Sequence, residues 1–350
     1  MKNSMKKILS LVLTSVLCLS VLSGCGKTEK EDKSSSDNTD GKKVYALVAK
    51  DVNNPYMKKM YEGFETACKE FGAEALYKGP EQATPEKQIE IINQLVAQNV
   101  SLIAVAANDA DALQPALKSA MDKGIKVLSL DSAVNKDSRQ VHIQQADPEK
   151  IGRGLIQAAY EMVDGNGGIA ILSATAQATN QNLWIEWMKK ELDENKDKYK
   201  NTPLVKIAYG DDDPTKSTNE TTALLTDPNI KIIIAPTTVG MLAAGKVLQD
   251  KKSTVKLTGL GLPSEMAPFI ESGICPWMYL WNPIDIGYLA AYGGDALVKE
   301  TITGKEGDKL TAGRLGEKVV TKAADGGTEI MLGDPFKFDK DNIEEWKTVY

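Results

Sequence analysis

The chain has 350 residues, 42 of them Lys or Arg against 48 Asp or Glu, and a net charge of -6. Those charges are spread without long like-sign blocks, so the sequence offers no electrostatic footprint for nucleic acid, and no DNA or RNA partner is expected. With one histidine and four cysteines, none in metal-ligand spacing, it also speaks against metal-based or histidine-based catalysis, and neither a metal nor a cofactor is expected.

Residues 1–24 combine Lys2, Lys6 and Lys7 with an apolar run from Ile8 to Leu22. That run is shorter than the ~20 residues a spanning helix needs, and the pattern is that of a secretory signal, expected to be removed. Ser23 and Gly24 ahead of Cys25 resemble the bacterial lipobox, which implies lipidation of Cys25 and a mature protein anchored at the outer face of the cytoplasmic membrane. Residues 25–42 are polar and small, with almost nothing to bury, and read as a flexible tether. The ~300 residues that follow suffice for one large or two medium domains.

A strand is predicted over 44–49, ending at Lys50-Asp51, and Asn53-Asn54-Pro55 opens a helix through Met60, Phe64, Cys68 and Phe71 that Gly72 ends. Next come a strand over 74–77, a helix from Pro85 to Gln98, a strand over 102–106, a helix over 110–123 capped by Gly124, and a strand over 127–130. Strands alternating with helices of ten or more residues describe a parallel sheet covered on both faces. In such a sheet, ligands bind beyond the carboxyl ends of the strands. Lys50-Asp51, Asn108-Asp109 and Asp131-Ser132 all stand at those ends, as either cleft residues or solvated loops. Asp131, the carboxylate at the end of a short buried strand, is the residue around which the site is placed.

Past Asp147-Pro148 the same order repeats. A helix over 149–163 leads to a strand over 169–172, and Thr179 or Asn180 can cap a helix running to Leu192. The amides Asn180, Gln181 and Asn182 at that helix start suit a neutral hydroxylated ligand, since an amide both donates and accepts; capping alone is the other reading. Strands follow over 204–209, 230–234 and 255–260. Asp211-Asp212-Asp213-Pro214 lacks the spacing of a calcium loop and reads as helix initiation. In Trp277-Met278-Tyr279-Leu280-Trp281-Asn282-Pro283, Trp277 is assigned to the core. Trp281, where the chain should cross between lobes, either packs in the core or shows its ring face to a sugar-like ligand. A helix over 286–300, a loop over 304–316 and short terminal strands complete the chain. His142 is read as structural, and Cys68 and Cys275 as small buried hydrophobes rather than a disulfide.

These features resemble the sugar-type periplasmic binding proteins of ABC importers, α/β proteins of the type I two-lobe fold, each lobe a parallel sheet flanked by helices, joined by a hinge. The resemblance implies an N-terminal lobe of 43–146 plus about 281–313 and a C-terminal lobe of 147–280 plus about 314–350. The stretches 179–184, 235–240 and 259–263 are similar to the branch holding the autoinducer-2-binding and rhamnose-binding proteins. By that likeness the ligand contacts are Lys50, Asp131, Asn180, Gln181, Pro236 and Thr238. Asn180 stands where autoinducer-2 receptors carry aspartate and Thr238 where they carry alanine, and rhamnose-binding relatives share both changes. The first expectation is a monomeric, lipid-anchored protein that captures autoinducer-2, a small cyclic polyol, and delivers it to an ABC permease; rhamnose or another monosaccharide is the second. An enzyme using the Asp51 and Asp131 carboxylates and a transcriptional regulator of the same fold are the outlying readings, the latter excluded by the export signal.

Overall fold

The computed structural model describes residues 42–350; the predicted signal segment, Cys25 and all of the tether but its last residue lie outside the described residues. The described residues begin with β1 (Val44–Val48), α1 (Pro55–Glu70), β2 (Glu74–Lys78), α2 (Pro85–Ala97), β3 (Leu102–Val105), α3 (Gln114–Asp122), β4 (Lys126–Leu130) and β5 (Val141–Gln144). It continues through α4 (Pro148–Met162), β6 (Gly168–Ser173), α5 (Thr179–Glu194), α6 (Lys196–Tyr199), β7 (Leu204–Tyr209), α7 (Pro214–Leu224), β8 (Ile230–Ala235), α8 (Thr238–Asp250), β9 (Lys256–Gly259), α9 (Pro263–Glu271) and β10 (Trp277–Leu280). Last come α10 (Pro283–Val298), β11 (Lys309–Thr311), β12 (Glu317–Val319), β13 (Thr321–Lys322), β14 (Thr328–Met331), β15 (Phe336–Asp339) and α11 (Ile343–Trp346).

Beside two-stranded ribbons formed by β10-β15 and β11-β12, two large sheets organise most of these elements, as the two-lobe α/β reading requires. The first runs β13-β14-β5-β4-β3-β1-β2 and is parallel except where β13 meets β14; the second runs β7-β6-β8-β9 and is parallel throughout. Central strands such as β3 are buried along their whole length, which is why they read as continuous apolar runs rather than alternating ones. β10 and β15 pair with each other in a separate ribbon set beside β9 by the Leu260–Tyr279 bridge, so the chain passes between the lobes after β5, between β10 and α10, and between β14 and β15.

Four helix starts share one local device. Asn54-Pro55, Asp147-Pro148, Asp213-Pro214 and Asn282-Pro283 each place a side-chain acceptor on the backbone N–H groups of the first turn and a proline at the first helical position. Two of them, at Asp147 and Asn282, fix the direction of the chain just where it changes lobes. α10 then lies against α1 at the closest possible range. A Cβ on Gly287 would stand 1.7 Å from the Met60 carbonyl oxygen, and one on Gly63 would stand 1.8 Å from that of Ile284, so the two backbones touch.

Several expectations need correction. The stretch 314–350 does not lie wholly in the second lobe: β14 pairs with β5 in the first sheet, His142 opposite Glu329, so a late piece of chain returns to the first lobe. Helix α3 begins at Gln114 rather than 110, because the Asp109 carboxylate accepts from the N–H groups of Asp111 and Ala112 and holds a turn there. Trp277 is only partly buried, with Lys337 Nζ 4.8 Å from its ring centroid. Two other readings agree with the structure, beginning with the cysteines: Cys68 and Cys275 are both free and buried, and burial pushes the Cys68 thiol up to about 12. His142 is buried in β5 between Ser129 Oγ at 2.8 Å and Gln144 Oε1 at 2.9 Å. Since an amide oxygen only accepts, the proton sits on Nε2 and Nδ1 accepts from the serine hydroxyl.

Candidate functional site

All seven residues singled out for ligand contact, Lys50, Asp131, Asn180, Gln181, Pro236, Thr238 and Trp281, line one cavity between the lobes. The topology brings them there. Lys50 follows β1 and Asp131 follows β4, at the carboxyl edge of the first sheet. Asn180 and Gln181 occupy the first turn of α5, Pro236 follows β8, Thr238 opens α8, and Trp281 lies on the crossing between β10 and α10.

The polar groups meet across the lobes. Lys50 Nζ donates to Asn180 Oδ1 at 3.0 Å and stands 3.7 Å from Asp131 Oδ2. Asn180 Nδ2 donates to Asp131 Oδ2 at 3.1 Å, and Tyr56 donates its hydroxyl proton to Asp131 Oδ1 at 3.1 Å. Trp281 Nε1 in turn donates to the Tyr56 oxygen at 2.6 Å, with the two rings edge to face. Lys50, Asp131 and Asn180 are 4%, 4% and 7% exposed, so the cluster is desolvated and its bonds act at low dielectric. Burial raises the Asp131 pKa, while the Lys50 charge and the Tyr56 hydroxyl act to lower it.

Asp131 has φ +60°, a left-handed conformation that costs a non-glycine residue of order 1 kcal/mol and persists where surrounding structure fixes it. Here the Asp131 N–H donates to the Ile143 carbonyl of the neighbouring strand at 3.2 Å. Of the other strand-end pairs, Asn108 is a brace: its amide donates to the carbonyls of Lys50 and Thr84, holding the loop that carries the lysine. Asp51 and Asp109 lie instead in an outer groove along with Glu81, Asp211 and Asp213. Asp212 lines both that groove and the cavity, whereas Asp51 does not line the cavity that Asp131 does.

Sequence reasoning missed Tyr56, Trp184 and Asp212, each of which lines the same cavity. Asp213 is indeed the cap of α7, as helix initiation predicts, but Asp211 and Asp212 have φ +54° and +52°, and Asp212 turns inward to accept from the Thr237 hydroxyl. Burial raises the Asp212 pKa, opposed by that hydroxyl and by the Lys50 charge. Two carboxylates against one ammonium give the cavity a bias against anions. Met57, Leu260 and Leu280 add apolar wall.

Two α/β lobes joined by three passages of chain, with a cavity lined by residues of both between them, have the architecture of a two-lobed solute-binding protein. The chain belongs to the periplasmic binding protein domain family, whose model matches residues 45–305. A solved ABC transporter solute binding protein from Clostridium phytofermentas, with bound L-rhamnose, is 48% identical, with a TM-score of 0.85 over 89% of this chain and 99% of that one. LsrB from Clostridium saccharobutylicum in complex with AI-2 is 22% identical, with a TM-score of 0.80 over 87% and 99% of the two chains, and shows the fold alone. The D-allose-binding periplasmic protein of Escherichia coli strain K12 is 24% identical over 254 residues, 69% of this chain and 80% of that protein.

Proposed function

We propose that this protein is the substrate-binding component of an ABC importer and that it closes around L-rhamnose or a closely similar neutral monosaccharide. The observation that carries the reading is the cavity itself: Lys50, Asp131 and Asn180 supply charged and amide groups to hydroxyls, while Met57, Leu260, Leu280 and the indole rings supply apolar wall. A deoxyhexose presents both kinds of surface. Support for rhamnose over the autoinducer-2 first expected comes from the 48% identity to the rhamnose-bound protein against 22% to the AI-2 complex. Asn180 and Thr238, the two departures from the autoinducer-2 pattern, agree with that shift.

In the mechanism proposed, ligand bridges the two lobes and favours the closed state through contacts made in both, and the closed form docks on a membrane permease. Lys50 and Asp131 give charge-assisted hydrogen bonds to ligand hydroxyls, and Pro236 and Thr238 border the ligand from β8 and α8. Lipidation of Cys25 keeps a monomeric binding domain beside that permease. Intrinsic tryptophan fluorescence tests the reading, since Trp184 and Trp281 both line the cavity: a saturable change on adding L-rhamnose supports it, and a flat response to L-rhamnose and other neutral monosaccharides contradicts it. Autoinducer-2 stays as the second reading because Lys50, Asp131, Gln181 and Pro236 agree with that pattern in type.

A further inference from the structure

Helix α5 carries, on two residues that line the cavity, two buried polar atoms that no other group answers. Gln181 and Trp184 are three residues apart and so share a face of the helix, and both line the cavity. They are 6% and 2% exposed, yet Gln181 Oε1 and Trp184 Nε1 have no hydrogen-bond partner among the described residues. The adjacent indole behaves differently: Trp281, with its ring centroid 5.8 Å from that of Trp184, gives its N–H to Tyr56. Lys50, Asp131 and Asn180 likewise satisfy one another. Buried polar atoms are rarely left unpaired, and each exception asks for a cause.

One atom is an acceptor and the other a donor, which is the complement of a hydroxyl group. A hydroxyl can accept from an indole N–H while giving its own proton to an amide oxygen; a methyl group does neither, and an ether or carboxylate oxygen only accepts. We propose that Trp184 is a specificity-determining ligand contact, its N–H donating to one sugar hydroxyl whose proton goes to Gln181 Oε1. The inference rests on the neutral-sugar reading of the cavity. Its consequence is discrimination: a sugar lacking that one hydroxyl leaves both atoms buried and unpaired, a loss that sites built to hydrogen-bond a substrate hydroxyl use to reject analogues.

The test is a cycle between protein and ligand. Trp184→Phe keeps an aromatic ring beside Trp281 and removes the N–H; Gln181→Met keeps the chain length and removes the amide. Dissociation constants are measured for L-rhamnose and each of its monodeoxy analogues, with thermal unfolding of the free proteins as the fold control. The parent should lose at least tenfold on one analogue, and each variant should bind L-rhamnose at least tenfold more weakly while no longer telling that analogue apart. Variants that discriminate every analogue as the parent does overturn the proposal. Should Trp184→Phe fail to fold, Gln181→Met carries the same cycle. Failure of the parent to bind L-rhamnose defeats the rhamnose assignment alone, and the cycle is then read on whichever of D-allose, D-ribose or autoinducer-2 it binds; no binding of any of them overturns both.

Discussion

Lys50 Nζ in the first lobe lies 3.0 Å from Asn180 Oδ1 in the second, a hydrogen bond made across the cleft by the groups expected to hold ligand. Asn180 also donates to Asp131, so one side chain of the second lobe is tied to two charged groups of the first. Hydrogen bonds to charged groups are worth about 1.5–3 kcal/mol net. Asn180→Ala should therefore shift the free protein toward an open arrangement, seen as a larger radius of gyration in small-angle scattering. An unchanged radius would mean that these bonds do not hold the lobes together.

Asp131→Asn keeps the shape of the side chain and removes its charge. The variant should bind sugar roughly tenfold or more weakly, the equivalent of about 1.4 kcal/mol, with little change in unfolding temperature. Undiminished affinity would remove Asp131 from the binding site.

Gly287→Ala tests the packing that supports the crossing at Trp281. The new methyl would fall 1.7 Å from the Met60 carbonyl oxygen, so α10 must move away from α1. Over-packing of this kind costs typically 1–3 kcal/mol, and the unfolding temperature should drop by several degrees. An unchanged temperature would show that the helices are not in backbone contact.

His142 predicts a pH dependence of stability. Burial, with the nearby Arg139 charge, lowers its pKa to about 3. The unfolded chain takes up this proton near pH ~6.5, whereas the folded protein does not until far lower. Unfolded protein thus binds more protons across that interval, and stability falls as pH drops from ~6.5 toward 3, by at most about 1.4 kcal/mol per unit. Urea unfolding of His142→Gln should show a shallower decline than the parent over the same interval; equal slopes would mean the histidine is not held neutral.

The lobes and the strand-end residues were legible in the sequence because parallel strands and their carboxyl edges follow local rules. Lys50 and Asp131 close apolar runs, and Asn180 and Gln181 start a helix, so their positions follow from order along the chain. Asp212 was hidden because the triplet before Pro214 needs a single cap, which Asp213 supplies, and only the left-handed backbone at 211 and 212 sends the middle carboxylate inward. Tyr56 occupies the apolar face of α1 and Trp184 is buried beside Ile185 and Met188 of α5, and at such positions an aromatic side chain reads as core whether or not its polar tip meets a cavity. The return of β14 to the first sheet depends on a four-residue strand pairing with one far earlier in the chain, and local pattern does not encode that partner.

Calorimetric titration of residues 42–350 with L-rhamnose and, separately, autoinducer-2 tests the central claim most directly. The account predicts one-to-one binding of L-rhamnose with a dissociation constant below ~1 μM, about -8 kcal/mol, and weaker or no binding of autoinducer-2. Tight binding of autoinducer-2 with L-rhamnose silent would contradict it and make the protein a signal receptor in which Asn180 and Thr238 are tolerated.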